Sequence, residues 1–403
     1  MSTKVYDLNH PFNGQIILFK GQSQYDVLRS FIDGIYDALR QLGHRPVVID
    51  LTDSDVGMQL ERVLQQPVFF ALGINGMGIE LKYRDQSLFD AAGFPFFAFL
   101  VDHPFHHARR LQFAVHNLIV SCIDEYHVAY LREYFPELVC TRAFIPHCAA
   151  SKESSVPISD RKYDVVFAGT YTDPDQARGQ WADFDPHLRD FLDDVAERAL
   201  YDSTRPLIGI MQDLLVEKGL GENRIYLQKL TSLLAPLDLY VRNRRRKEMV
   251  ESILDLPVHV FGNGWDSLPF ALGRKIHIHP SISFTALQKV MCDTKIMLSL
   301  LPNFQYGGHE RLFTAMLNGA VVLADSNAYL EKHLISAESI HYFRLDSLKM
   351  LPERIEGLLG DPVRLQEVAS SGKNAVQQGH LWLHRTAQIV ETVKYHYSFY
   401  PLK

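Results

Sequence analysis

The chain has 403 residues, of which 47% are apolar and 22% charged, and a formal net charge of -6. That length exceeds one ordinary core and suits two α/β domains, and the apolar content excludes a disordered chain. The mild negative charge excludes a global field for nucleic acid or an anionic membrane, so an anionic ligand must be held by a local site.

Cys122, Cys140, Cys148 and Cys292 form no Cys-x-x-Cys pair and no disulfide framework. The opening MSTKVYDLNH lacks a signal-peptide core, and the longest apolar run, Phe94 to Val101, is too short to span a membrane. A cytosolic protein without a membrane span is expected.

In chain order, the apolar runs IILF (16–19), PVVIDL (46–51) and PVFFALG (67–73) alternate with the helix-period stretches 26–43 and 54–66. FFAFLVD (96–102), NLIVSCID (117–124), a helix over 125–135 and TRAFIPH (141–147) continue the pattern. Apolar strands joined through helices predict a parallel sheet covered on both faces, here over 1–150. SKESSVPISDRK (151–162) reads as a linker.

A second domain, 163–375, opens with YDVVFAG (163–169) and takes a mostly helical insertion over about 175–255. It resumes with PVHVFG (257–262), KIHIHP (275–280), KIMLSLLP (295–302), AVVLAD (320–325) and IHYFRLD (340–346). The expected architecture is two tandem Rossmann-like, doubly wound α/β domains. A helical tail, 376–403, is expected to pack across the hinge.

The chemistry concentrates in NFQYGGHERLFTAMLNGAVVLAD (303–325), which follows a buried strand at the edge where open α/β sheets bind ligands. Gly307 and Gly308 permit close backbone approach, and the helix starting near His309 offers free N–H groups suited to phosphate. At 100° per residue Leu312, Phe313, Met316 and Leu317 form the apolar face, Glu310 and Thr314 share its border, and Arg311 points away. The same residues also read as a turn, a first-turn acid favoured by the helix dipole and a solvated arginine.

PNFQYGGHERLFTAMLNGAVVLADSNAYL resembles the carboxyl-terminal sugar-nucleotide segment of GT-B glycosyltransferases, especially the bacterial glycosyltransferase family 1 group related to spore maturation protein glycosyltransferases. LVDHPFHH (100–107), DEYHVAYLREYFPEL (124–138), IPH (145–147), YDVVFAGTY (163–171) and VFGNGW (260–265) are similar to segments of that group in the same order. The resemblance implies a nucleotide-diphosphate-sugar donor held by the second domain and a protein or glycan acceptor placed against the first, with no further cofactor. Donor contacts then fall to Gly169, Thr170, Tyr171, Gly262, Asn263, Gly264, Asn303, Gly307, Gly308, His309, Glu310, Arg311 and Thr314. Many retaining members carry a ribose-binding glutamate five residues before the position of Gly319, where this chain has Thr314; Glu310, one turn earlier, is the substitute.

Asp102 and His103, at the end of a strand, are candidates for the base that deprotonates the acceptor, with His309 as a further catalytic candidate. Asp-x-Pro is equally a turn and cap. Asn75 and Gly76 lie on the expected acceptor side and also spell a turn. An epimerase or hydrolase on the same fold, or a non-catalytic binding module, are the alternatives.

Asp53-Ser54-Asp55, Asp173-Pro174-Asp175 and Asp183-Phe184-Asp185 match a metal-binding pattern, but helix capping accounts better for the first. His103, His106 and His107, or His277 and His279, lack recognisable ligand spacing, so no metal is expected. Arg242 to Lys247 (RNRRRK) reads as a solvated helix face, with an acidic acceptor or lipid surface as the minor alternative; no nucleic-acid partner is expected.

Overall fold

The computed structural model describes residues 11–113, 115–150, 156–221, 229–268 and 274–400. The chain divides into two compact units, residues 1–150 with 381–403, and residues 151–380.

In the first unit, β1 (Gln15–Lys20), β2 (Arg45–Asp50), β3 (Val68–Ile74), β4 (Phe96–Leu100), β5 (Leu118–Cys122) and β6 (Thr141–Phe144) form one sheet in the order β2-β1-β3-β4-β5-β6. Every neighbouring pair is parallel. Ile16, Ile17, Leu18 and Phe19 have no exposed surface, as a strand covered on both faces requires.

Helix α1 (Val27–Gln41) buries Phe31, Ile32, Ile35, Ala38 and Leu39, a stripe with helical spacing. The terminal helix, Trp382–Phe399, packs on α1 within this unit. Gly34 makes that packing possible, because a Cβ there would run into the Trp382 indole. The Trp382 ring lies 5.4 Å from that of Phe31, and the Tyr397 hydroxyl donates to Phe69 O at 2.6 Å. The expected tail boundary at 376 falls inside the preceding helix, Pro362–Gly379, and the chain enters the first unit at Leu381. Helix α2 (Glu125–Tyr134) starts at Asp124, whose carboxylate accepts from the Tyr126 amide at 2.8 Å.

In the second unit, β7 (Tyr163–Ala168), β8 (Val258–Phe261), β9 (His277–His279), β10 (Thr294–Ser299), β11 (Val321–Asp325) and β12 (His341–Phe343) pair in parallel in the order β9-β8-β7-β10-β11-β12. Between β7 and β8 run the helices Pro174–Arg178, Pro186–Tyr201, Leu207–Glu217 and α3 (Leu234–Ser252). The stretch 222–228 of the expected insertion lies outside the described residues, as do 151–155 of the expected linker.

The rest of that linker is not simply a solvated connection. Arg161 is buried, and its guanidinium donates to Thr294 O and Asn318 O, both at 2.8 Å. It joins the start of β10 to the end of the helix after it.

Candidate functional site

Strand order in the second sheet reverses between β7 and β10, since β7 leads outward to β8 and the chain returns to its other side as β10. The carboxyl ends of two such strands diverge and leave a crevice where open α/β sheets bind ligands. Phe167, Ala168, Ser299, Leu300, Arg246 and Arg311 line a small cavity there.

After β10 the chain reaches Asn303, a left-handed residue with φ 54°. Asparagine tolerates that conformation, and here its amide is locked: Nδ2 donates to Asp238 Oδ1 at 2.6 Å and Oδ1 accepts from Arg245 at 2.7 Å. Asn327 Nδ2 ties down the corner that follows, donating to Phe304 O at 2.7 Å and Gly307 O at 2.9 Å. Gly308 serves packing as much as ligand approach, because a Cβ there would lie 2.6 Å from the Phe313 ring.

Helix α4 (Glu310–Leu317) begins at this corner with His309 as its N-cap. His309 Nδ1 lies 2.5 Å from Glu310 Oε2, and Nε2 lies 3.0 Å from Arg311 Nη2. A guanidinium only donates, so Nε2 is the acceptor and the ring proton sits on Nδ1, directed at Glu310. The Arg311 amide, 3.3 Å from the same Nδ1, then meets no lone pair; the shorter contact decides the tautomer. Burial, reinforced by the Arg311 charge, lowers the His309 pKa and keeps the ring neutral at pH 7.

Arg311 departs from the helical-wheel expectation. Instead of pointing into solvent, its Nη1 donates to Ala168 O at the end of β7, across the crevice from its own helix. Thr314 is fully buried and Glu310 nearly so. Glu310 is thus the carboxylate at the helix start, and Thr314 belongs to the core.

The basic run is also placed differently from expectation. Arg245 is buried and donates to Leu200 O, Ala199 O and Asp202 O, closing the end of the helix Pro186–Tyr201. Arg246 Nη1 donates to Thr170 O at 2.7 Å, and Arg242 pairs with Asp238 at 2.9 Å. Burial first, then repulsion from Arg242 and Arg311, brings the Arg246 pKa down to about 9. Arg246 and Arg311 therefore share one crevice, with Arg242 near enough to repel both.

The loops after β7 and β8 brace one another. Tyr171 N donates to Asn263 O and Gly169 N to Phe261 O, each at 2.9 Å, and Ser281 N donates to Asn263 Oδ1 at 3.2 Å. A Cβ on Gly262 would meet Gly169 O, and one on Gly264 would meet Tyr171 O, so these glycines accommodate the neighbouring loop. The Tyr171 side chain is core, 4.9 Å from the Trp265 ring. At the end of β11, Asp325 is buried; its Oδ1 accepts from Leu301 N at 2.8 Å, while Oδ2 has no hydrogen-bond partner among the described residues. Burial pushes its pKa up to about 6.

In the first unit, Asn75 (φ 53°) and Gly76 (φ 70°) turn sharply after β3. Asn75 Oδ1 accepts from Val101 N at 2.8 Å, Nδ2 donates to Asp102 Oδ2 at 3.0 Å, and Asn75 O accepts from Arg110 Nη1 at 2.9 Å. The Asp102 side chain is 52% exposed. Burial raises its pKa, but the His107 and His106 imidazoles and the Asn75 amide outweigh that and hold it well below the usual carboxylate range.

His103 is not the partner of Asp102. Its Nδ1 faces the Phe105 amide at 3.3 Å, capping the turn Pro104–His107, and its ring stacks on Phe105 at 4.0 Å beside His127 and Tyr130. Burial and then His127 lower its pKa well below the ordinary value. The histidine that faces the carboxylate is His107, with Nε2 3.7 Å from Asp102 Oδ2.

Residues 244–391 match the family model described as glycosyl transferase-like. The chain is a glycosyltransferase of the GT-B fold. The α-glucosyltransferase solved with UDP-glucose and DNA containing an abasic site is similar in fold, with a TM-score of 0.53 and 11% identity over 94% of this chain and 99% of that one. T4 phage BGT in complex with its UDP-glucose substrate superposes with a TM-score of 0.52 and 11% identity, over 96% and 100% of the two chains. No curated protein matches this glycosyltransferase by sequence.

Sequence reasoning on the glycosyltransferase missed Arg242, Arg246 and His107. The signal for the first two was their spacing: four residues apart, they share one helix face whatever the charge of the run. Asp173 and Asp185 do cap helices, accepting from the amides of Asp175 and His187, whereas Asp55 accepts from the Gln59 side chain instead. His259, His277 and His279 stack face to face, with His259 Nδ1 2.9 Å from His279 Nε2. Among the described residues no helix is long and apolar enough to cross a membrane.

Proposed function

We propose that this glycosyltransferase moves a sugar from a nucleotide-diphosphate sugar to a protein or glycan acceptor without a metal ion. The observation that carries the reading is the convergence of Arg246 and Arg311 on the β7/β10 crevice, with Arg242 near enough to repel both and the Asp238 and Glu310 carboxylates paired with Arg242 and Arg311.

Chemically, the bond from the sugar's anomeric carbon to the diphosphate oxygen breaks and its electron pair leaves with the diphosphate. Charge develops on those phosphate oxygens in the transition state, and fixed guanidiniums beside them stabilise it without reorganisation. The N–H groups at the start of α4 add to the same effect. Neutral His309 orients Arg311 and Glu310, and Glu310 is the group suited to ribose hydroxyls.

On the acceptor side, Asp102 takes the hydroxyl proton as the new glycosidic bond forms. Its exposure and its ionised state suit it to that task better than the packed, capping His103.

The test is a thermal-shift screen against nucleoside diphosphates and their sugars, followed by turnover with protein, glycan and DNA acceptors in the presence and absence of EDTA. Stabilisation by a diphosphate and EDTA-resistant transfer to a protein or glycan are expected. No shift with any donor would sink the donor reading, and transfer to DNA alone the acceptor reading.

A further inference from the structure

Asp102 and His107 are five residues apart, and one turn, Pro104–His107, brings the imidazole back to the carboxylate. The His107 side chain is only 13% exposed, and its Nε2 is buried with no hydrogen-bond partner among the described residues. At 3.7 Å from Asp102 Oδ2 it is beyond hydrogen-bond length yet close enough for the imidazole to favour the ionised carboxylate. Asn75 Nδ2 donates to the same oxygen at 3.0 Å, and Arg110 donates to Asn75 O. The groups that face the pair are His106 from the same turn, Arg110 from the short helix Ala108–Leu111, and His127 and Tyr130 from α2 against His103, with no further carboxylate among them.

We propose that His107 is the positioning residue of the acceptor base: with Asn75 it clamps Asp102 Oδ2, leaving the other oxygen to take the acceptor proton. This rests on the reading of Asp102 given above. The proton passes from the acceptor hydroxyl to Asp102, and the hydroxyl oxygen's electron pair forms the bond to the anomeric carbon as the diphosphate departs. His107 touches neither reactant; it acts through the carboxylate.

Release of UDP from UDP-glucose, with water as acceptor, is followed from pH 3 to 9 in the full chain. His107→Ala should lower the rate about tenfold and move the acid limb of the profile to higher pH, because the Asp102 carboxylate loses the imidazole that lowers its pKa and protonates sooner. His107→Gln, which keeps an N–H donor there, should recover part of the rate. In parallel, the His107 ring resonances are followed by NMR on the full chain and should move in Asp102→Asn, because the carboxylate lies beside the ring. An unmoved acid limb in His107→Ala overturns the proposal, and so do unmoved His107 ring resonances in Asp102→Asn. If the wild type releases no UDP, the UDP-glucose donor reading fails, and the NMR shift decides the pairing alone.

Discussion

Arg311 donates from the first turn of α4 to the carbonyl oxygen of Ala168 at the end of β7, closing the crevice between the two strands at which the sheet order reverses. A surface arginine would not do this. The bond aims a desolvated guanidinium at the place where strand ends and helix N-terminus also point, and Arg246 is held there by the neighbouring carbonyl of Thr170.

Replacing either arginine tests the crevice. Arg311→Ala and Arg246→Ala should each lower turnover about a hundredfold, the order seen when one preorganised charge-stabilising donor is removed. Arg311→Lys should recover little, since an ammonium lacks the fork that reaches Ala168 O and His309 together. Steady-state kinetics with a donor found in the screen, checked against thermal melts, reads this; unchanged kcat in both alanine variants would remove the crevice from the mechanism.

Asp325 should make stability fall as pH rises. Its folded pKa, pushed up to about 6 by burial, exceeds that of an unfolded aspartate, so the native state binds the extra proton. The benefit is complete below about pH 4 and lost as pH passes 6, on the order of 3 kcal/mol for two pKa units. Asp325→Asn removes this dependence: melts at pH 5 and pH 8 should show the variant gaining on the wild type at the higher pH. An equal difference at both would contradict it.

Gly34→Ala should destabilise the first unit by about 1–3 kcal/mol, because the added methyl meets the Trp382 indole. Combining it with Trp382→Leu should cost less than the two single effects added together, as for residues in direct contact. Chemical denaturation of the four proteins measures the coupling, and strict additivity would place the clash elsewhere.

Arg161→Met should cost about 2–4 kcal/mol by leaving the buried Thr294 and Asn318 carbonyls without their donor. Arg161→Lys should recover only part, having one nitrogen for two acceptors. Denaturant midpoints decide; a loss below about 0.5 kcal/mol in Arg161→Met would show that water replaces the guanidinium.

Much of the fold was legible because a parallel strand buried on both faces must be continuously apolar, and a helix covering it must repeat every three to four residues. Those two periods locate each strand's carboxyl end, and with it the Gly307–Arg311 corner and the Asn75 and Asp102 turns. Side-chain direction was less legible. Arg311 sits on the outer face by angle, yet its length lets it turn back over the helix start to Ala168. Arg242 and Arg246 look like a solvated run because nothing nearby in sequence shows that α3 is buried on nearly every side.

By itself the sequence determined two doubly wound α/β units, the strand ends where ligands bind and the corner that carries the chemistry, since local periodicity and turn residues are properties of the chain. Only the tertiary structure decided which groups meet there. It brought Arg246 from a helix about 65 residues upstream of Arg311, removed Thr314 to the core, and gave Asp102 a partner in His107 rather than its neighbour His103. The reason is that pairing of charged and polar groups depends on distances across the fold, set by how helices seat on a sheet, and no spacing along the chain encodes those distances.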